Sequence, residues 1–313
     1  MTDVKIKDGE ILFVYESKMA NPNGDPDNEN VPRMDYETDR NLVSDVRLKR
    51  YIRDYFISNF HDESNDVFVK RVDRVQNATE RAKEFEFDKS KILKKCIDIR
   101  MFGATIAIKE KSDSESGEAK SGGKRESKKG SSIALTGPIQ FTWGYSLNQV
   151  QLMNSYSITT TFASKEGKTQ GSIGKDYRVY YSLMAFYGVI SSKRALESTL
   201  SEDDLKNFDK AMLNSIQMSS TRTKIGQYPL LYIRTEYEKP KFIGDLRQFI
   251  SFNSSKTPIR STDDYSLNLK DLAERIKGNK ECKKANIWLH SNLKIEGEDN
   301  LKEEPFKMMN EDD

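Results

Sequence analysis

The chain has 313 residues, a net charge of +2, and 36% hydrophobic against 32% charged residues, which suits one elaborated domain or two ordinary ones. No run approaches the roughly 18 apolar residues of a membrane span, and residues 1–7 lack an apolar signal core. Two distant cysteines, Cys96 and Cys282, exclude a disulfide framework, so the expectation is a cytoplasmic protein with no membrane partner.

In chain order, Ile11-Leu12-Phe13-Val14-Tyr15 predicts a buried strand. The segment from Asn21 to Asn28, with Pro22, Asn23, Gly24 and Pro26, is turn chemistry. Ser44 reads as an N-cap, with Asp45 in the first turn of a helix running to about Ser58. Leu48, Tyr51, Ile52, Tyr55 and Phe56 form its apolar stripe. Arg47, Arg50 and Arg53 lie off that stripe and Lys49 on its flank, so one face is expected to pack and the other to present cations.

Val67-Phe68-Val69 predicts a short strand, and residues 79–102 a charged helical stretch. Residues 109–131, rich in Lys, Glu, Ser and Gly, read as a mobile loop. Residues 133–141 predict a strand interrupted at Thr136-Gly137-Pro138, and 142–176 a protruding hairpin. A central strand is expected over 177–190. Ser201 with Asp204 resembles a capping box, opening an amphipathic helix through Leu205, Phe208, Met212 and Ile216. Leu230 to Ile233 predicts a strand, and Asn268 opens a last helix through Leu272 and Ile276. Residues 296–313 carry eight acids against Lys302 and Lys307, and are expected to form a disordered acidic tail on a basic body. The order strand, helix, strand, strand, helix, strand is an α+β, ferredoxin-like plan of the kind RNA-recognition domains use.

Catalytic chemistry is sparse. His61 and His290 stand in no nucleophile or base context, and no spacing fits zinc. Asp25, Asp27 and Asn28 miss the calcium-loop template, and Gly174-Lys175 lacks the phosphate-loop spacing. No metal or cofactor is expected. Polyanion binding fits better. Arg47, Lys49, Arg50 and Arg53 could each neutralise a phosphate. Turns at Gly24, Gly103, Gly171 and Gly174 let backbone amides approach one. Thr221-Arg222-Thr223-Lys224-Ile225-Gly226-Gln227 adds two cations and hydroxyls in one loop. Phe162, in the hairpin, is the candidate for contact with a base.

Several blocks resemble the backbone subunit of type I CRISPR surveillance complexes (Cascade), nearest the I-B group and related to I-C. They are Asn21-Pro22-Asn23-Gly24-Asp25-Pro26-Asp27 with Arg33, the stretch Val43 to Arg53, Asp98 to Ala104, Thr136 to Phe141, Trp143 to Asn148, and Thr221 to Gln227. The resemblance implies a non-catalytic protein shaped like a hand. A ferredoxin-like, RNA-recognition-motif-like palm would span 1–59, 133–141 and 177–295. A helical finger insertion would span 60–132, and a β-hairpin thumb 142–176. It further implies partners: a CRISPR guide RNA, target DNA through that guide, head-to-tail copies of the chain, and other Cascade subunits. The residues expected on the RNA are Asn21, Asn23, Gly24, Arg33, Ser44, Arg47, Lys49, Arg50, Arg53, Gly103, Phe162, Lys165, Lys168, Gln170, Gly171, Arg222 and Lys224. Two alternatives share the fold: an RNA-cleaving type III backbone subunit using a divalent metal with Asp35 or Asp45, and a guide-processing endonuclease.

Overall fold

The computed structural model describes residues 6–60, 65–70, 77–107, 132–154, 156–159 and 173–310. The loop expected at 109–131, and His61, lie outside the described residues. The apolar run at Ile11 lengthens into strand β1, Gly9–Ala20. Helix α1, Asp45–Asn59, starts where expected, with the Ser44 side chain accepting from Arg47 N. Ile139–Phe141 (β2) and Gly144–Ser146 (β3) come next. They are followed by β4, Val179–Ile190, and α2, Glu202–Asn214, the latter opened by the reciprocal Ser201–Asp204 box. Strand β5 is Gln227–Tyr237, helix α3 Lys270–Gly278, and strand β6 Cys282–Leu289.

β1 lies at the heart of the main sheet, antiparallel to β4 on one side and β5 on the other. β2 and β3 both pair with β4, and β6 pairs with β5. Both faces of β1 are covered, which explains why its run is continuously apolar rather than alternating. Phe13 and Tyr15 face Leu48, Tyr51, Ile52 and Phe56 of α1 and Phe208 and Met212 of α2. Leu12 and Val14 face a second core that includes Leu272 and Ile276 of α3. A third cluster, with Phe68, Phe85, Ile92, Leu93 and Ile99, belongs to the insertion after α1. The insertion is fastened to α2 by Arg100, whose guanidinium grips the Asp204 carboxylate at 2.8 and 2.7 Å.

Several expectations are corrected. Val67-Phe68-Val69 is not a strand, because the amides of Phe68 and Val69 donate to the Asp98 carboxylate instead of a ladder. The stretch 79–102 is three short helices, Ala78–Lys83, Lys89–Lys95 and Ile97–Phe102, broken first where Glu86 and Phe87 take positive φ. Gly137-Pro138 divides 133–141 between two sheets: Ser132–Thr136 pairs with Gly103–Ala107, while β2 joins the main sheet. The hairpin does not begin at 142, since β3 lies in the main sheet; among the described residues Ser157–Thr159 pairs with Ile173–Lys175. Asn268 ends a strand, although its side chain still accepts from Lys270 N at the helix start. The acidic tail is docked as far as residue 310. Leu301 and Phe306 are buried, and Phe306–Met308 runs parallel to β6. Burying two such side chains stabilises by roughly 1.5–3 kcal/mol each, which average tail composition conceals.

Gly103 ends the helix Ile97–Phe102 at φ 75°, ψ −179°, a region open essentially to glycine alone. A Cβ there would meet the Leu135 carbonyl at 2.1 Å. Gly103→Ala is expected to lose about 2 kcal/mol or more in urea denaturation. An unchanged midpoint would show that the turn relaxes freely.

Candidate nucleic-acid interface

The loop after β1 is folded back onto the start of α1. Asn23 Oδ1 accepts from both the amide and the hydroxyl of Ser44, at 2.9 and 3.0 Å. Asn21 Nδ2 donates to the carbonyls of Asn30 and Tyr177, at 2.7 and 3.1 Å. The 221–227 loop meets the same place: the Asn21 amide donates to Thr223 O, and the Lys224 ammonium donates to Asn21 O. Gln227 Nε2 donates to Tyr51 Oη at 3.1 Å and to Lys224 O at 2.8 Å. Arg47 lies over the Tyr51 ring, 4.0 Å from its centroid. Thus Asn21, Asn23, Ser44, Arg47 and Lys224 meet at one end of β1.

The electrostatics of this corner are one-sided. Burial, and then the nearby Arg47 charge, push the Lys224 ammonium down to about 7. Four buried polar atoms, Tyr15 Oη, Ser17 Oγ, Asn21 Oδ1 and Arg47 Nε, have no hydrogen-bond partner among the described residues. Buried polar atoms are rarely left so.

The base of the hairpin closes one flank. Asp176 accepts from Arg178 at 2.7 Å and faces Arg222 at 3.3 Å. Glu29 receives Lys175 at 2.6 Å and Tyr177 Oη at 2.9 Å. Tyr156 stacks on Tyr177 at 4.6 Å. The expected contacts Phe162, Lys165, Lys168, Gln170 and Gly171 lie outside the described residues.

Other expected contacts are spent elsewhere. Arg53 is only 8% exposed and donates to Asp98, itself fully buried, at 2.9 Å. Lys49 is 9% exposed and is held between Asp45 and Gln140, both at 3.0 Å. These two cations therefore do not join a free face. The physical reason is that α1 is covered twice, by the sheet and again by the insertion and Gln140. Arg50 stays half-exposed on an i,i+4 pair with Asp54 at 2.6 Å. Arg33 pairs with Asp25 at 3.3 Å beside the half-exposed Trp143 ring. Gly103 N donates to Ile99 O, so its amide closes a helix rather than meeting an anion. Gly24 pairs across to Pro32 within the turn.

Tyr15, Ser17, Asp176 and Arg178 also stand at this corner and are absent from the contacts expected from sequence. Tyr15 looked like one more apolar core position. Asp176 and Arg178, two apart beside Gly174-Lys175, were a signal in plain view. The two aspartates of the cleavage alternative have structural partners: Asp35 accepts from Glu37 N and Thr38 Oγ1, and Asp45 pairs with Lys49. Among the described residues no three His, Cys, Asp or Glu side chains form a metal-binding group. A groove of about 830 Å³ elsewhere, lined by Tyr36, Arg40, Tyr180, Phe252 and Ile259, contains none of the expected contacts.

No described helix is long and apolar enough to cross a membrane. Two chains of solved complexes share the architecture. One, from a CRISPR RNA-guided surveillance complex, is 12% identical, with 93% of this chain and 94% of that one covered at a TM-score of 0.50. Another, from such a complex in a pre-nicking state, is 11% identical, with 92% and 95% covered at 0.52. The CRISPR-associated protein Cas7 of Haloferax volcanii is 31% identical over 286 residues, covering 85% of this chain and 82% of that one. The sequence profile described as CRISPR-associated protein Cas7 matches residues 7–270, so this chain belongs to the Cas7 family.

Proposed function

We propose that the chain is a non-catalytic, guide-RNA-coating backbone subunit of a Cascade-type CRISPR surveillance complex, of the I-B kind with I-C related. The observation that carries this is the meeting of Arg47 and Lys224, from distant segments, beside buried polar atoms that find no partner among the described residues. Such a corner grips a sugar–phosphate chain and ignores its sequence, as a subunit serving any guide must. The guide's bases remain free to pair with target DNA. Head-to-tail stacking, a heterologous contact that does not close, would extend along the guide beside other subunits of the complex. A cytoplasmic setting suits this role.

The order β5, β1, β4, β2 with all neighbours antiparallel, and α1 and α2 packed on one face, supports reading the main sheet as a ferredoxin-like palm. The insertion after α1 is then the finger. The hairpin around 157–175 is the thumb, with Phe162 its candidate wedge and Lys165, Lys168, Gln170 and Gly171 beside the guide of a neighbouring copy. Asn21, Asn23, Ser44, Arg47, Arg50, Arg222 and Lys224 are assigned to the RNA. Arg53, Lys49 and Gly103 are assigned to the fold.

Incubation of the purified protein with labelled guide and target RNA plus magnesium tests this directly. Protection without cuts is expected. Periodic cuts abolished by Asp35→Ala or Asp45→Ala would install the cleavage reading instead. Arg50→Ala should weaken binding alike for unrelated guides and reduce the magnitude of the salt slope by roughly 0.7–1. Its stability should stay within about 0.5 kcal/mol, because an exposed ion pair contributes little. A loss confined to some guide sequences would contradict a phosphate contact.

A further inference from the structure

Among the described residues, the corner between Arg47 and Lys224 is short of negative charge. Lys224 Nζ donates to a main-chain carbonyl, that of Asn21, and the charge acting on it is the positive one of Arg47. From α1 the corner is faced by Arg47 and the Tyr51 phenol, and from β1 by the Tyr15 phenol, which feels both. Glu16 and Lys18 alternate to the opposite face of β1, where Glu16 lies by Tyr181 and His290. From β5 comes the neutral Gln227, paired across the ladder with Ser17. At the hairpin base the carboxylate of Asp176 is engaged by Arg178 and Arg222.

Lys224 is half-buried beside another cation, with no counter-anion among the described residues, and such an amine is held partly neutral. Burial and Arg47 together bring Lys224 to about 7, so near neutrality a large share of the molecules carry it as the free amine. A phosphodiester oxygen would supply the missing anion and restore the ammonium. We propose that seating a guide phosphodiester between Arg47 and Lys224 places one proton from water on Lys224, so that guide binding is proton-linked and weakens as pH rises above neutrality. This rests on the guide-coating reading and adds a regulatory property to the same site.

The sign follows from linkage. The ligand-bound state holds more protons than the free state, so affinity falls with rising pH between the free and bound pKa values of Lys224. Uptake should be roughly half a proton per bound copy near pH 7 and approach one by about pH 8, with affinity then falling toward about tenfold per pH unit. Lysines in contact with a carboxylate would show no such effect, since they are already charged when free.

Titration calorimetry of the full chain tests this, using an RNA of adenine and cytosine only, at about pH 8 in phosphate and in Tris. The difference in heat between buffers reports protons taken up. Wild type should take up close to one proton per bound copy. Lys224→Met should bind more weakly with that uptake gone, and Lys224→Arg should bind with a flat pH profile. Tight wild-type binding without uptake, or uptake retained in Lys224→Met, would overturn the linkage and leave the guide reading intact. Absence of RNA binding at every pH would instead remove the guide reading, and the linkage with it.

Discussion

Replacing Asp98 with alanine is expected to destabilise the protein by about 3–5 kcal/mol. Asp98 is fully buried and accepts three bonds: from Arg53 Nε at 2.9 Å, Phe68 N at 2.7 Å and Val69 N at 3.1 Å. Removing it leaves a guanidinium uncompensated in an almost dry place, against the Phe102 ring 5.2 Å away, and two amides without acceptors. For a chain of this size the melting temperature should drop by roughly 10 °C. Arg53→Ala should cost a similar amount, because it strands the carboxylate. Replacing both with apolar residues of similar volume should recover most of the loss. Urea denaturation of the four proteins decides the matter. If Arg53→Ala folded as wild type yet lost RNA binding, Arg53 would return to the groove and the double-cover account of α1 would be wrong.

Arg47→Ala combined with Lys224→Ala should do the reverse. Each side chain is assigned one charge-assisted bond to phosphate, worth about 1.5–3 kcal/mol. The pair should therefore weaken guide binding by roughly a hundredfold or more per copy. Folding should survive, since truncation breaks no ion pair among the described residues and removes a lysine whose charged form burial and Arg47 already disfavour. Filter binding at fixed salt measures the first effect and thermal melting the second. A double variant that melts early but binds normally would make this corner structural, and the guide would have to run elsewhere.

These two outcomes separate cations that the sequence presents as equals. Arg47 and Arg53 lie on one helix, both away from the apolar stripe, and helical spacing gives no reason to distinguish them. The distinction comes from Asp98, which an insertion brings across α1. The same insertion and Gln140 capture Lys49. Spacing along a helix reports only the side it packs on its own sheet. It is silent about a second cover arriving from another segment.

What the sequence alone determined were features whose causes are local. Period and capping located α1 and α2, the apolar run located β1, and turn residues placed the breaks at Asn21 and at Gly137-Pro138. The Ser201–Asp204 box is one such cause, complete within four residues. Only the tertiary structure decided which charged side chains remain free. It set Lys224 beside Arg47 with no counter-charge among the described residues, and it docked the acidic tail through Leu301 and Phe306. The reason is physical. A hydrogen bond within one turn of helix is written in adjacent residues, whereas the desolvation of a charge depends on every segment that folds over it.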